Sequence, residues 1–174
     1  MKLLTRPNLA AACVVAGLAI ALLGRPVTRL IRVRRAAIGT RLLTTENRAS
    51  DLAGRPHMLL AADSMTLLVM LDAKDMHSRS NLRMYAPLAQ WGRLQGLASR
   101  FVVPNDTVAF AQFARLAGDK LEVLQASPAW YTKIGVTAVP TFLLLDASGA
   151  VRGRWVGEAP PHLELLNVMT RARS

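Results

Sequence analysis

The stretch Val136–Asp146, V-T-A-V-P-T-F-L-L-L-D, constrains the fold of this chain more than any other. Thr141–Leu145 is a short, continuous apolar run, which suits a strand buried on both faces. Pro140 has no N–H to give a ladder, so it belongs at the entry of that strand. Asp146-Ala147-Ser148-Gly149 then reads as a turn, because Asp is favoured at its start and Gly at its end. Val151–Val156 returns as the partner strand. A hairpin with a proline at its mouth is the least this stretch implies; the order of what precedes it implies more.

From residue 58 strand-like and helix-like signals alternate, the mark of a layered α/β domain. Met58-Leu59-Leu60 is a candidate strand, and Thr66–Leu71 is a second, apolar along most of its length and therefore central. The polar loop Asp72–Ser78 follows. Ser80 or a neighbour caps a helix through about Gln95 that carries Leu82, Tyr85, Leu88, Ala89 and Trp91; Pro87 kinks it or sets its true start. Gly96 ends that helix, and Leu97–Val103 is the next strand. Asp106 is placed as the N-cap of a helix Thr107–Ala117, with Ala109, Phe110, Phe113 and Ala117 on one side and Gly118 as its stop. Leu121–Gln125 reads as a short strand and Pro128–Lys133 as a helical turn. A last helix, from about Pro160 or Pro161 to Arg171, turns Leu163, Leu166, Val168 and Met169 toward the core.

The net charge of +11 over 174 residues resembles a nucleic-acid signal until it is divided. Residues 1–56 carry ten Lys/Arg against Glu46 and Asp51, a net of +8, and the remainder carries only +3. The basicity thus sits beside an apolar segment, where it attracts anionic lipid headgroups, and no aromatic-basic motif supports nucleic-acid binding. That segment, Leu9–Leu23, lies in an uncharged window from Pro7 to Gly24. Eighteen helical residues at about 1.5 Å each span roughly 27 Å, close to a thin bilayer core. Lys2 and Arg6 would equally serve a signal peptide, yet the run ends in Gly24-Arg25-Pro26 with no A-x-A pattern. Residues 1–24 are therefore expected to be an uncleaved membrane anchor, with Leu9, Val14, Val15, Leu18, Ile20, Leu22 and Leu23 facing lipid. Small residues among Ala10–Ala19 permit close approach to partner helices. Residues 25–57 read as a basic juxtamembrane helix, Arg25–Arg41, and a linker. Arg25, Arg29, Arg32, Arg34 and Arg35 are placed for headgroup contact, and a solvated charged helix is the alternative.

Strand, loop, helix, strand, helix, proline, two strands and terminal helix is the order of the thioredoxin fold. Residues 58–174 are accordingly expected to form a thioredoxin-like α/β domain with a central mixed sheet. Here the chain resembles membrane-anchored, bacterial thioredoxin-like proteins of the TlpA/MauD group, the latter being accessory proteins of methylamine utilisation. The resemblance rests on T-L-L-V-M-L running into D-A-K-D-M-H-S, on V-T-A-V-P-T-F-L-L-L-D-A-S-G, on the closing V-R-G-R-W, and on the single N-terminal span with arginines just after it. It implies a cis Val139–Pro140 bond facing the loop, and a shallow groove for an extended polypeptide lined by Met76, His77, Trp130, Val139 and Pro140. Packing under the turn is the competing role for Trp130.

Members of this group that handle disulfides carry C-x-x-C in the loop after the first central strand. By distance from Leu71 those positions fall on Asp75 and Ser78; a later frame over Arg79–Leu82 is also open. Neither contains cysteine, and the one cysteine of the chain is Cys13. Exchange needs a thiolate to attack a disulfide sulfur, so disulfide chemistry by this domain is excluded. Asp72, Asp75 and His77 lack the spacing of a metal site, no glycine motif for a cofactor is present, and Ser78 has no evident base. The expectation is a redox-inactive, single-span accessory or assembly subunit of an integral membrane complex, without catalytic residues, metal or cofactor. The alternatives are a client-binding maturation factor and a non-thiol enzyme at Asp72–Ser78. Flanking arginines argue for a cytoplasmic domain, the resemblance for a periplasmic one, and the periplasm is the expectation.

Overall fold

The computed structural model describes residues 38–43, 47–118 and 121–173. The anchor of residues 1–24 and the arginines from Arg25 to Arg35 lie outside them. Among the described residues no helix is long and apolar enough to cross a membrane.

Seven strands form one mixed sheet: β1 (Arg48–Ser50), β2 (Pro56–Met58), β3 (Thr66–Met70), β4 (Ala98–Pro104), β5 (Val123–Ala126), β6 (Thr141–Leu145) and β7 (Val151–Val156), in the order β2-β1-β5-β4-β3-β6-β7. β3, β4 and β5 are parallel, and β6 runs antiparallel to β3 and β7 to β6. The helices are α1 (Met76–Ser80), α2 (Leu82–Leu94), α3 (Thr107–Ala117), α4 (Pro128–Lys133) and α5 (His162–Arg173).

Alternate strand residues point to opposite faces, and both faces are covered. On one, Leu67, Val69, Phe101, Val103, Phe142 and Leu144 meet Tyr85 and Leu88 of α2, Phe110 and Phe113 of α3, and Leu165 and Met169 of α5. On the other, Leu68, Met70, Val102, Leu124, Leu143 and Leu145 meet Tyr131 of α4, Ile134, and Leu43, Leu59 and Leu60 from the chain before β3. Burial on both faces is why β3 and β6 read as unbroken apolar runs rather than alternating ones.

Five expectations need correction. The boundary at 57/58 falls inside the sheet, because β1 and β2 lie in the stretch read as linker. Asp51 makes this hairpin: its Oδ1 accepts the Ala53 and Arg55 N–H groups at 2.9 Å each, an Asx-type turn that needs no apolar pattern. Met58 closes β2, and Leu59 and Leu60 are buried outside the ladder. The basic helix does not extend to Arg41, which forms an antiparallel bridge with Ala150. The helix expected from Ser80 or a neighbour is α2, with Asn81 at its N-cap position, but a separate short helix, α1, precedes it, and Pro87 lies inside α2 at an exposed position rather than marking its start. Leu163 is 71% exposed; the core stripe of α5 is phased on Leu165 and Met169, four residues apart.

The β6–β7 turn is built as its residues require. Asp146 Oδ1 accepts Ser148 N–H at 2.9 Å, Ser148 Oγ–H at 2.6 Å and Ala150 N–H at 3.0 Å. Gly149 has φ +81°, and a Cβ there would stand 2.0 Å from the Leu43 carbonyl oxygen. Only glycine fits that conformation and that approach together.

Candidate functional site

Because β3, β4 and β5 are parallel, their carboxyl ends lie at one end of the sheet, where open α/β sheets hold ligands. The antiparallel β6 begins there: Met70 pairs with Thr141, which sets Leu71 and the loop after it alongside Pro140. The Val139–Pro140 bond is cis, as the resemblance implies.

Three helices start at this end, and each is closed by its own residue. Asp75 caps α1, its carboxylate accepting the Ser78 N–H at 2.6 Å. Asp106 caps α3 by accepting the Ala109 N–H at 3.2 Å, and Ser127 caps α4 by accepting the Trp130 N–H at 3.3 Å. A helix N-terminus left open would offer such donors to an anion; here the side chains of the chain itself take them.

The two positions matched to C-x-x-C thus have definite places. Asp75 is the N-cap and Ser78, three residues on, is fully buried, with its hydroxyl accepting the Asp72 N–H at 3.2 Å. Asp72 Oδ1 accepts the Lys74 N–H at 2.8 Å, and Lys74 Nζ pairs with Asp106 at 2.5 Å, tying the loop to α3. The Lys74 bond holds the Asp106 carboxyl below the usual carboxylate range and lifts the Lys74 ammonium above its own.

Beneath the loop stand two tyrosines that sequence pattern marks only as core or not at all. The Tyr131 hydroxyl lies 3.0 Å from the Leu71 carbonyl oxygen and 2.6 Å from that of Val102, and donates between them. Burial, with the charge of Asp72 adding to it, pushes this hydroxyl well above the ordinary tyrosine value, so it remains a donor. Tyr85, fully buried beside Phe101 and Phe142, has no partner for its hydroxyl among the described residues. Its pKa is raised by burial first and by Asp75 second. The available signal for Tyr131 was chemical: a tyrosine next to Trp130 on a short, half-buried helix needs a partner for its hydroxyl.

The groove candidates divide. Met76 and His77 are exposed on α1, whereas Trp130 and Val139 are partly buried against the second core face, with Trp130 edge-on to Tyr131 at 6.0 Å. Neither the amide nor the carbonyl of Val139 makes a backbone hydrogen bond among the described residues. The neighbouring loop is held by Thr141 Oγ1–H to the Ala138 carbonyl at 2.6 Å, and by Arg154, whose Nη2 donates to the Gly135 carbonyl at 2.9 Å. Arg154 is only 7% exposed, and burial lowers its pKa.

The histidines do not converge. His57 lies on the edge strand β2, its Nδ1 2.8 Å from Glu122 and its Nε2 3.2 Å from Asp51. His162 stacks on Trp91 at 4.5 Å. Among the described residues no three His, Cys, Asp or Glu side chains are placed to hold a metal ion. With the Ser78 hydroxyl bonded to backbone and His77 exposed, the loop assembles no nucleophile–base pair.

No protein-family model matches the chain, and comparison with curated proteins returns no match. Solved structures do share its fold. It is similar to a Chlorobium tepidum protein described as the thiol:disulfide interchange protein DsbE, with 18% identity over 78% of this chain and 96% of that one and a TM-score of 0.63. The thioredoxin domain of a thiol-disulfide oxidoreductase from Bacteroides vulgatus matches at 12% identity over 79% and 99%, TM-score 0.62. StoA from Bacillus subtilis matches at 12% identity over 71% and 95%, TM-score 0.58. The fold is thioredoxin-like. At these identities the likeness carries the fold and not the activity.

Proposed function

We propose that this chain is a redox-inactive, thioredoxin-fold protein that acts by binding, as an accessory or assembly subunit of a larger membrane complex. One observation carries the reading: the positions that counting from Leu71 matches to C-x-x-C hold a helix cap, Asp75, and a buried serine, Ser78, whose polar groups serve the loop itself, and the later frame over Arg79–Leu82 holds no cysteine either. The one sulfhydryl of the chain, Cys13, is remote from them in sequence. What is left at this sheet end is backbone. The unpaired amide and carbonyl of Val139 suit an added partner strand, with Met76 and His77 within the same face of the loop.

Leu9–Leu23 and the arginines from Arg25 to Arg35 support a single-span anchor; the resemblance to the TlpA/MauD group supports a periplasmic domain, against the cytoplasmic side that the flanking arginines favour. Mild detergent solubilisation and affinity purification of the full chain tests the subunit role. Stoichiometric co-purification with an integral membrane complex is expected; a lone monomer with transient clients contradicts it. An alkaline phosphatase fused to the C-terminus is expected to be active, and an inactive fusion contradicts the periplasmic placement.

A further inference from the structure

A second exposed apolar surface lies where α1 and α2 meet α3. Between α1, the start of α2 and the later part of α3 opens a cleft of about 740 Å³, walled by Met76, Leu82 and Leu116 and edged by Lys74, Arg79 and Arg83. Met76 is 74% and Leu116 57% exposed, while Leu82 turns partly into the core. Among the described residues no Asp or Glu lines the cleft. Lys74 is neutralised by Asp106, but Arg79 and Arg83, four residues apart across the α1–α2 junction, have no ion-pair partner among the described residues. Large apolar side chains left in water, framed by cations without anions, make a surface whose complement is apolar and acidic.

We infer that this cleft docks an acidic, amphipathic segment of a partner protein, with apolar side chains against Met76 and Leu116 and carboxylates toward Arg79 and Arg83. The concavity favours a polypeptide over a bilayer, because a planar headgroup surface reaches the arginines without filling the space between α1 and α3. Charge selects the partner: a basic segment would place like charges against two guanidinium groups without an ion-pair partner among the described residues. The inference goes beyond the Val139 edge and does not depend on it, since Arg79, Arg83 and Leu116 line the cleft and not that edge, although Met76 borders both.

The test uses the full chain in nanodiscs of phosphatidylcholine and a helical peptide of about 14 residues, leucine at i, i+3, i+4 and i+7 and glutamate elsewhere. Hydrogen exchange is followed over residues 76–83 and 107–117, together with peptide affinity. The acidic peptide is expected to slow exchange in both segments, and its lysine counterpart is not. Arg79→Glu with Arg83→Glu is expected to weaken the acidic peptide about tenfold or more, and Leu116→Gln to weaken it severalfold, at unchanged fold because all three residues are exposed. The inference is overturned if the acidic peptide fails to protect these segments, if the lysine peptide protects them equally, or if charge reversal leaves affinity unchanged. Protection that appears only when phosphatidylglycerol is added to the nanodiscs also overturns it, in favour of a lipid contact.

Discussion

The β6–β7 hairpin and the Asp72–Ser80 loop contribute to one scaffold, but their residues are held in place by different things. In the hairpin, identity is dictated by surroundings: Gly149 has the Leu43 carbonyl where a Cβ would be, Asp146 gathers three donors, and Phe142 fills the core beside Tyr85. In the loop, the backbone asks only for a cap at 75 and a small polar group at 78. Asp and Ser meet both demands without a sulfur. The scaffold thus demands particular residues in the hairpin and only local polar groups in the loop.

Substitutions can break that contrast, and the largest effects belong to the hairpin. Phe142→Ala removes a fully buried ring from between two elements of the core and should cost about 4 kcal/mol in urea unfolding. Gly149→Ala combines a left-handed φ with an impossible approach to Leu43 and should cost about 3 kcal/mol, read in the same way. The loop should respond less. Asp75→Ala loses the α1 cap and Ser78→Ala the acceptor for the Asp72 N–H, each about 1 kcal/mol by chemical denaturation. If Asp75→Ala proved as damaging as Phe142→Ala, the loop would be part of the scaffold and the contrast would fail.

A smaller effect is acidic. Partial burial pushes the Asp146 carboxyl up, but the bonds from Ser148, Ala150 and Arg152 outweigh it and hold the group below its ordinary range. At Asp51 an upward push from desolvation is likewise outweighed, by Arg55 and His57, and the pKa falls to about 2. In the unfolded chain these carboxyls titrate near about pH 4, so on acidification the unfolded state takes up protons first. Their stabilisation is complete above that pH and is lost as pH falls through the folded values. Asp146→Asn should flatten this acid limb in a series of thermal melts between about pH 2 and pH 6, by lowering stability near neutrality and leaving it little changed at the acid end.

The parts legible in the sequence were those written locally. Thr141–Leu145 and Thr66–Leu71 announce themselves as buried strands by their apolar runs, Asp106 as a cap by its place ahead of Phe110 and Phe113, and the D-A-S-G turn by its composition. β1 and β2 were not legible, since three-residue strands organised by the Asp51 turn carry no alternation to detect. The exposure of Leu163 was hidden because phase along α5 is set by Leu165 and Met169 against the sheet, and apolar content alone does not reveal it. At the site, Asp75 and Ser78 were found by counting from the strand. The Lys74–Asp106 pair and the Tyr131 bonds beneath the loop join residues 29 to 60 apart, and only the folded chain brings them together.

The central claim is that a thioredoxin-like scaffold stands complete around a loop with Asp75 and Ser78, not cysteines, at the positions matched to C-x-x-C. Insulin reduction by the full chain, measured beside the Asp75→Cys/Ser78→Cys double variant, tests it most directly. The account predicts no catalytic turnover for the native chain. For the variant it predicts a reversible internal disulfide, since cap and third helical position are spaced for one, together with measurable reductase turnover. Turnover by the native chain, or a double variant that folds but forms no internal disulfide, would contradict it.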